Sequence, residues 1–546
     1  MKVNKLLLAA FAAVAVLASC SKEDGVNSKT SGADVPEGIP TYANFSFDVE
    51  GADTKAAVAL PAEGSEAATI SDIRVLIFKN TASSTVCEVN KLVNAQSSSA
   101  ILLTSGVKKI FVIANAATQT AINSALDETI VIPGTTTLND FYTSLSQFKL
   151  GAVTSPFNTT ALNNLSLLSL LTTADKMVYS NAADTKSTYT LAPSVSASTA
   201  NSATASGNQA DDGNHFQIKV KRVVAKAKVV YESTLLSGAD KLKAGGTSAE
   251  PDGLLQDFSY SIRNVRRYTY LVQQFRGGDE VDPTAPIAPA ILVPYDAVTS
   301  ADLAFADYRP YLYSQSGEPN GDLKYAYGTN NLKVKNDAGA VAYYMPENIN
   351  GTARWGNTTW APIQATFLPQ ANKYVATATY DNVGGNNRFT IILGTTAITS
   401  PTTLYRTKIG GTNLPVGSIF VNKTQAYQAA YSLKFPDKLY SEDATDFADF
   451  SDEDKNRVQE VLDTYNAGVC YYQLFFGEGD NSVPGGLTTG VKRNYSYTAV
   501  IKKFAGIGTP EEDGGTDPGT PLETSTNVNV TIEVMPWTTI ESGHIL

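Results

Sequence analysis

Histidine is nearly missing from this chain: His215 and His544 are the only two among 546 residues. A Ser-His-Asp triad or a metal site built on several histidines is hard to assemble from that supply, and His544 lies almost at the C-terminus. His215, between Asn214 and Phe216, reads as a strand-edge residue rather than a base. Cysteine is almost as scarce. Besides Cys20 there are only Cys87 and Cys470, far apart and without the CxxC spacing of zinc or redox sites. They are expected as two separate buried thiols rather than a disulfide. Positive charge is short as well. With 42 Lys and Arg against 53 Asp and Glu, the net charge of −11 opposes any partner bound through phosphates, so nucleic acid is excluded. No Gly-rich phosphate loop, metal-ligand cluster or nucleophile elbow occurs. The acids between Glu442 and Asp454 lack the spacing of a calcium loop and read as a solvated surface. No catalytic residue, metal ligand or cofactor is assigned, and the chain is read as a non-enzyme.

What is present favours strands and turns. Tyrosine (27) and phenylalanine (21) far outnumber tryptophan (3), Thr and Val are plentiful, and Gly and Pro punctuate the chain throughout. The N-terminus addresses the protein to export. Lys2 and Lys5 precede the apolar run Leu6 to Leu17, a secretory signal too short to span a bilayer stably. It ends in Leu17-Ala18-Ser19-Cys20, which resembles a bacterial lipobox. Cleavage before Cys20 and its acylation, palmitate included, would supply the several chains that stable anchoring needs. Ser21-Lys22-Glu23-Asp24 resembles the acidic tag that sends some lipoproteins of Gram-negative anaerobes to the cell surface. The precursor is therefore expected at the outer membrane, held by lipid.

Beyond a polar tether, Ala43, Phe45, Phe47 and Val49 alternate with polar residues and predict a strand with one buried face. Small residues follow around Lys55 and Ala56, forming a loop that a trypsin-like protease would cut. Arg74, the next basic residue, lies inside an apparent strand and is a worse substrate. Further strands are predicted over 73–78, 108–115, 216–230, 259–265, 374–380, 388–393, 471–476 and 495–502. The Ser- and Ala-rich stretch 180–213 reads as a domain junction or a long surface loop. One helix is expected, capped by Ser451 and carrying the stripe Val458, Val461, Leu462 and Tyr465. Gly506 to Ser525 reads as a solvated linker. Beyond it Val528, Val530, Ile532 and Val534 alternate with polar residues, and Met535-Pro536-Trp537 closes the run. The organisation read from this is a signal peptide (1–19), a lipidated propeptide with a removable strand (20–55), two β domains (56–212 and 213–505), a linker (506–525) and a C-terminal strand (526–546).

Two strands of matching character thus sit near opposite ends of the chain. If the first completes a sheet and is then removed, it leaves a groove of unpaired backbone and apolar pockets that the second could fill in a neighbour. Burying four Val and Ile side chains is worth about 6–12 kcal/mol, enough for a durable joint after association costs of several kcal/mol. Such a contact is head-to-tail and generates filaments. The alternative at this point is that Thr526 to Trp537 folds back into its own C-terminal domain.

At these residues the chain resembles the fimbrillins of the type V pili of Bacteroidales, most closely the shaft subunits of the minor, Mfa-type fimbriae. The resemblance rests on the lipobox, on Ile110 to Asn115, Val220 to Ala227, Ile262 to Tyr268, Tyr344 to Asn348, Tyr471-Tyr472, Val491 to Asn494, and the strand Val528 to Trp537. The resemblance implies a mainly β fold of two tandem β-sandwich-like (transthyretin-like) domains with few short helices. It also implies proteolytic removal of the N-terminal strand and polymerisation by donor-strand exchange into surface fimbriae that mediate adhesion and biofilm formation. Its partners would be further copies of itself, accessory and anchor subunits, and a host or bacterial surface receptor. The cleavage carries over to Lys55-Ala56 with a departure, because related shaft subunits are cut after arginine. Two other readings remain: an accessory tip or anchor subunit, and a glycan-binding lipoprotein using Trp355 and Trp360.

Overall fold

The computed structural model describes residues 35–49, 70–94, 99–117, 120–141, 147–149, 177–181, 187–205, 213–238, 240–264, 268–272, 333–334, 342–348, 355–356, 358–383, 386–435, 451–479, 487–512, 528–536 and 544–545. The chain is mainly β with few short helices, as expected. A first nine-stranded sheet takes up eight strands before residue 223 and one from the end of the chain, while Gln147–Lys149 pairs apart from it with Tyr268–Tyr270. It contains β1 (Pro40–Val49), β2 (Asp72–Lys79), β3 (Cys87–Asn94), β4 (Ile101–Thr104), β5 (Gly106–Ala114), β6 (Tyr179–Ser180), β7 (Thr188–Leu191) and β8 (His215–Arg222). Its centre is where the sequence is most continuously apolar. Ile73 and Val75 to Phe78 in β2, and Ile110 to Ile113 in β5, are fully buried, so both faces of these paired strands are covered.

Arg74 lies within that run, with 3 % of its surface exposed. It donates from Nη1 to Asn90 Oδ1 (2.7 Å) and from Nη2 to Asn123 Oδ1 (2.6 Å). A side chain packed this way in a central strand offers a protease nothing to grip. Within 180–213, the described residues 187–205 are more structured than their composition suggests. β7 pairs with β5, Tyr189 and Leu191 are buried, and the short helix α1 (Ala197–Ser202) packs on β1. Small Ser, Thr and Ala side chains allow that close approach, and Ser196 caps the helix by accepting from Thr199 N.

A second nine-stranded sheet starts directly after Val223. Its main strands are β9 (Val224–Tyr231), β10 (Gly253–Tyr260), β11 (Trp360–Pro369), β12 (Val469–Phe475), β13 (Tyr495–Phe504) and β14 (Val528–Pro536). The sequence reads 216–230 as one strand; the structure divides it at Val223, so that β8 belongs to the first sheet and β9 to the second. Short segments that are separate in sequence meet at this crossing. Arg222 lies over the Tyr179 ring at 5.4 Å and donates to Asn494 Oδ1 at 3.4 Å. Arg493 donates to Glu347 Oε1 at 2.5 Å and to Leu271 O at 3.3 Å, all out of water. Asn348 Nδ2 donates to Asn264 O (3.2 Å). Buried charge is tolerated here because it is paired and hydrogen-bonded. The final strand, β15 (His544–Ile545), returns to the first sheet.

β11 and β12 pair antiparallel from Trp360↔Phe475 to Thr366↔Val469. The chain between them forms a five-stranded sheet with a core of its own, including Val375, Phe389, Tyr405, Phe420, Tyr427 and Leu462. The helix Lys423–Lys434 covers it, started by Asn422, whose side chain accepts from Gln425 N. Its run of Ala, Gln and Tyr was a signal that sequence reading passed over. The expected helix after Ser451 ends at Gln459, and Leu462–Tyr465 is a strand paired with Leu404–Thr407. Tertiary pairing overrides the helical stripe there, placing Leu462 and Tyr465 in the core by alternation instead.

Candidate polymerisation site

β1 is bonded along both edges. On one side it pairs antiparallel with β4 from Pro40↔Thr104 to Ala43↔Ile101, and then with β15 at Ser46↔Ile545 and Phe47↔His544. On the other it pairs parallel with β8, from Asn44↔His215 to Val49↔Val220. Ahead of β8 the loop after β7 takes over that edge: Ser194 N donates to Pro40 O (3.2 Å) and Tyr42 N to Val195 O (3.0 Å). A strand so placed is interior, not an edge.

Its faces are equally engaged. Ala43, Phe45 and Phe47, three of the residues expected to face the core, are at most 1 % exposed. Phe45 stacks on Phe216 with ring centroids 6.1 Å apart, and Tyr189 meets Phe216 edge-on at 5.3 Å. The polar face is also buried, contrary to the expectation of a single buried face: Asn44 is 1 % and Ser46 8 % exposed. The pattern marked the apolar face correctly, but it could not reveal that α1 covers the other.

Three groups hold that polar face. Asn214 is the hub: its Nδ2 donates to Thr41 Oγ1 (3.0 Å), Tyr42 O (3.1 Å) and Ala192 O (2.9 Å), while its Oδ1 accepts from Ala192 N (2.8 Å). Its φ of 48° lies in the left-handed region that Asn tolerates better than most residues. Thr41 Oγ1 donates to Ala192 O (2.8 Å) and accepts from Val195 N (3.1 Å). His215 Nε2 lies 2.6 Å from Ser46 Oγ, with its Nδ1 2.6 Å from Ala203 O. The carbonyl makes Nδ1 the protonated nitrogen, so Nε2 accepts from the Ser46 hydroxyl. His215 thus begins β8 and anchors β1.

At the other end, β14 pairs with β13 in the same chain, antiparallel from Tyr495↔Pro536 to Phe504↔Val528. Val528, Val530, Ile532 and Val534 therefore lie on a strand that folds back onto its own C-terminal sheet. The approach to it is fixed in part. The sequence reads 506–525 as one solvated linker, yet 506–512 is held against β12: Tyr471 and Thr509 exchange backbone hydrogen bonds, and Tyr472 donates its hydroxyl to Gly506 O (2.7 Å). Arg263 Nε donates to Glu512 Oε1 (2.8 Å), and Gln473 Nε2 donates to Glu512 O (2.9 Å). Cys20, Lys55, Ala56 and Trp537 lie outside the described residues, and for Val49 only the strand placement is described.

Other candidates are absorbed by packing. Trp360 is buried, and Trp355 meets it edge-on at 5.7 Å and Phe475 at 4.8 Å, so the two indoles form no shared flat platform. Cys87 and Cys470 are free and buried, and burial pushes their thiols up to about 12 and about 11.

Residues 463–542, from β12's approach through β14, match the family model described as Major fimbrial subunit protein type IV, Fimbrillin, C-terminal. The likeness is to fimbrillins. It takes in Tyr471-Tyr472, Val491 to Asn494 and the strand Val528 to Trp537, while the other segments that carry the resemblance lie ahead of it. Among solved structures, a fimbrilin (fimA) from Porphyromonas gingivalis is 14 % identical over 92 % of this chain and 99 % of that one, with a TM-score of 0.38. The tip fimbrial protein Mfa3 from the same organism is 13 % identical over 92 % and 100 %, with a TM-score of 0.29. A fimbrial assembly protein from Parabacteroides distasonis is 12 % identical over 66 % and 100 %, with a TM-score of 0.24. No curated protein matches the chain.

Proposed function

We propose that the protein is a fimbrial subunit, exported as a Cys20-anchored lipoprotein, that polymerises head-to-tail by donor-strand exchange into cell-surface fimbriae. Cleavage after Lys55 releases β1, and residues 526–546 of a neighbouring copy take its place. The observation that carries this reading is the position of β1. A segment ahead of the cleavable loop fills the interior of the first sheet, bonded on both edges and buried on both faces. Its loss opens a slot of unsatisfied backbone groups and apolar pockets, which a strand from another copy can satisfy. The fimbrillin match over 463–542 supports the family, and the hairpin of β13 and β14 supplies a strand held by one neighbour only among the described residues. Adhesion and biofilm formation follow from a fibre displayed at the cell surface, with accessory and anchor subunits and a surface receptor as partners. The reading is not enzymatic.

The test is a denaturing gel of unboiled protein spanning Ser21 to Leu546, after brief treatment with a Lys/Arg-specific protease. A ladder that starts at Ala56 by N-terminal sequencing, and that vanishes when 526–546 is deleted, is the expected result. A single monomer band in every lane rejects the shaft role and leaves an accessory tip or anchor subunit.

A further inference from the structure

Aligned in the same chain direction, the two end strands match in both of their alternating classes. Val528 to Val534 laid on Ala43 to Val49 puts Asn529 on Asn44, Thr531 on Ser46 and Glu533 on Asp48. The apolar positions do not distinguish one direction of insertion from the other, since reversing the run exchanges Val and Ile for one another. The polar positions do. Asn44 is 1 % exposed, whereas position 48 stands opposite Lys219, which faces solvent. A reversed strand centred on Thr531 would carry the Glu533 carboxylate into the buried place of Asn44, at the high cost of burying an unpaired charge.

We propose that, in the exchanged joint, residues 528–534 of the neighbouring copy run in the direction of β1, parallel to β8. Thr531 then gives its hydroxyl to His215 Nε2, and Glu533 lies beside Lys219. This rests on the donor-strand reading above and adds to it a direction, a register and a selecting residue. β14 pairs antiparallel with β13 in its own chain, so the strand changes both partner and pairing sense on transfer. The joint also packs less aromatic surface than the cis strand, because Val530 and Ile532 replace Phe45 and Phe47. His215 thereby reads a hydroxyl at the centre of any strand that enters.

Direction can be read by disulfide trapping, because only residues brought opposite each other can bridge. Two double variants are made in the full chain: Lys219→Cys with Glu533→Cys, and Lys219→Cys with Asn529→Cys. Each is cleaved with the protease, oxidised, and run boiled without reductant. The expected result is a covalent ladder from the Glu533→Cys pair, absent before cleavage, and none from the Asn529→Cys pair. A covalent ladder from the Asn529→Cys pair, or from neither while the unboiled ladder persists, overturns the proposed direction and register and leaves strand exchange standing. Loss of the unboiled ladder in the unsubstituted protein overturns both. As a second readout, Thr531→Val should slow ladder formation and Thr531→Ser should restore it; equal rates for the two reject the role of His215.

Discussion

β1 and β14 are strands of similar sequence in unlike settings. β1 has β4, β8 and β15 as partners and both faces covered; β14 is paired with β13 alone among the described residues. Partners on both edges lock a strand, so removing β1 requires that its hydrogen bonds be surrendered together. A strand on one edge can peel, breaking bonds each worth about 0.5–1.5 kcal/mol in succession. The difference fits the proposed roles, in which the locked strand stabilises the precursor and the peelable strand is the one that changes partner.

The largest effect expected from breaking this contrast is at the aromatic face. Phe45→Ala should cost the precursor about 3–5 kcal/mol, as for other buried Phe truncations, measured by denaturant unfolding. The same substitution should leave the cleaved, polymerised form unchanged, because the strand has gone. Asn214→Ala removes the carboxamide that grips β1 and places Ala at positive φ, costing about 1–3 kcal/mol for the unmet hydrogen bonds and about 1–2 kcal/mol for the conformation. Asn214→Gly relieves only the second part, so unfolding of the pair separates the two.

On the side of β14, Glu512→Ala takes the carboxylate from Arg263 and loosens the end of 506–512, which the Tyr471–Thr509 backbone pair still holds to β12. We expect a loss of about 1–3 kcal/mol and faster amide exchange at Thr509, with β1 unaffected. Smallest of all should be any response at the thiols. Both are raised by burial, so they stay neutral at pH 8, and the folded chain from Ala56 should not react with a thiol reagent until it is denatured. The sign for stability follows. The contribution is complete below the unfolded thiol value of about 8.5 and declines as pH rises above it, since only the unfolded form ionises.

Period-two alternation was enough to place β1 and β14, and continuous apolar runs marked β2 and β5, because half-buried and buried strands write their faces directly into the chain. The second covered face of β1 was hidden, since Asn44 and Ser46 look solvated until α1 and Asn214 are placed. The hub itself has no local signature: Asn214 matters through contacts with Thr41 and Tyr42, more than a hundred residues away in the chain. The unit between β11 and β12 escaped for a related reason. Its ends are neighbours only once Thr366 pairs with Val469, and its strand Leu462–Tyr465 carries a helical stripe that pairing overrides.

The central claim is that the seat of β1 is the acceptor groove, and hydrogen exchange in β8 tests it most directly. In the chain lacking 526–546, amides of Phe216 to Val220 should be protected before cleavage and exchange rapidly after it. They should regain protection when a peptide of residues 526–546 is added. Protection that survives cleavage, or that the peptide does not restore, would contradict the account.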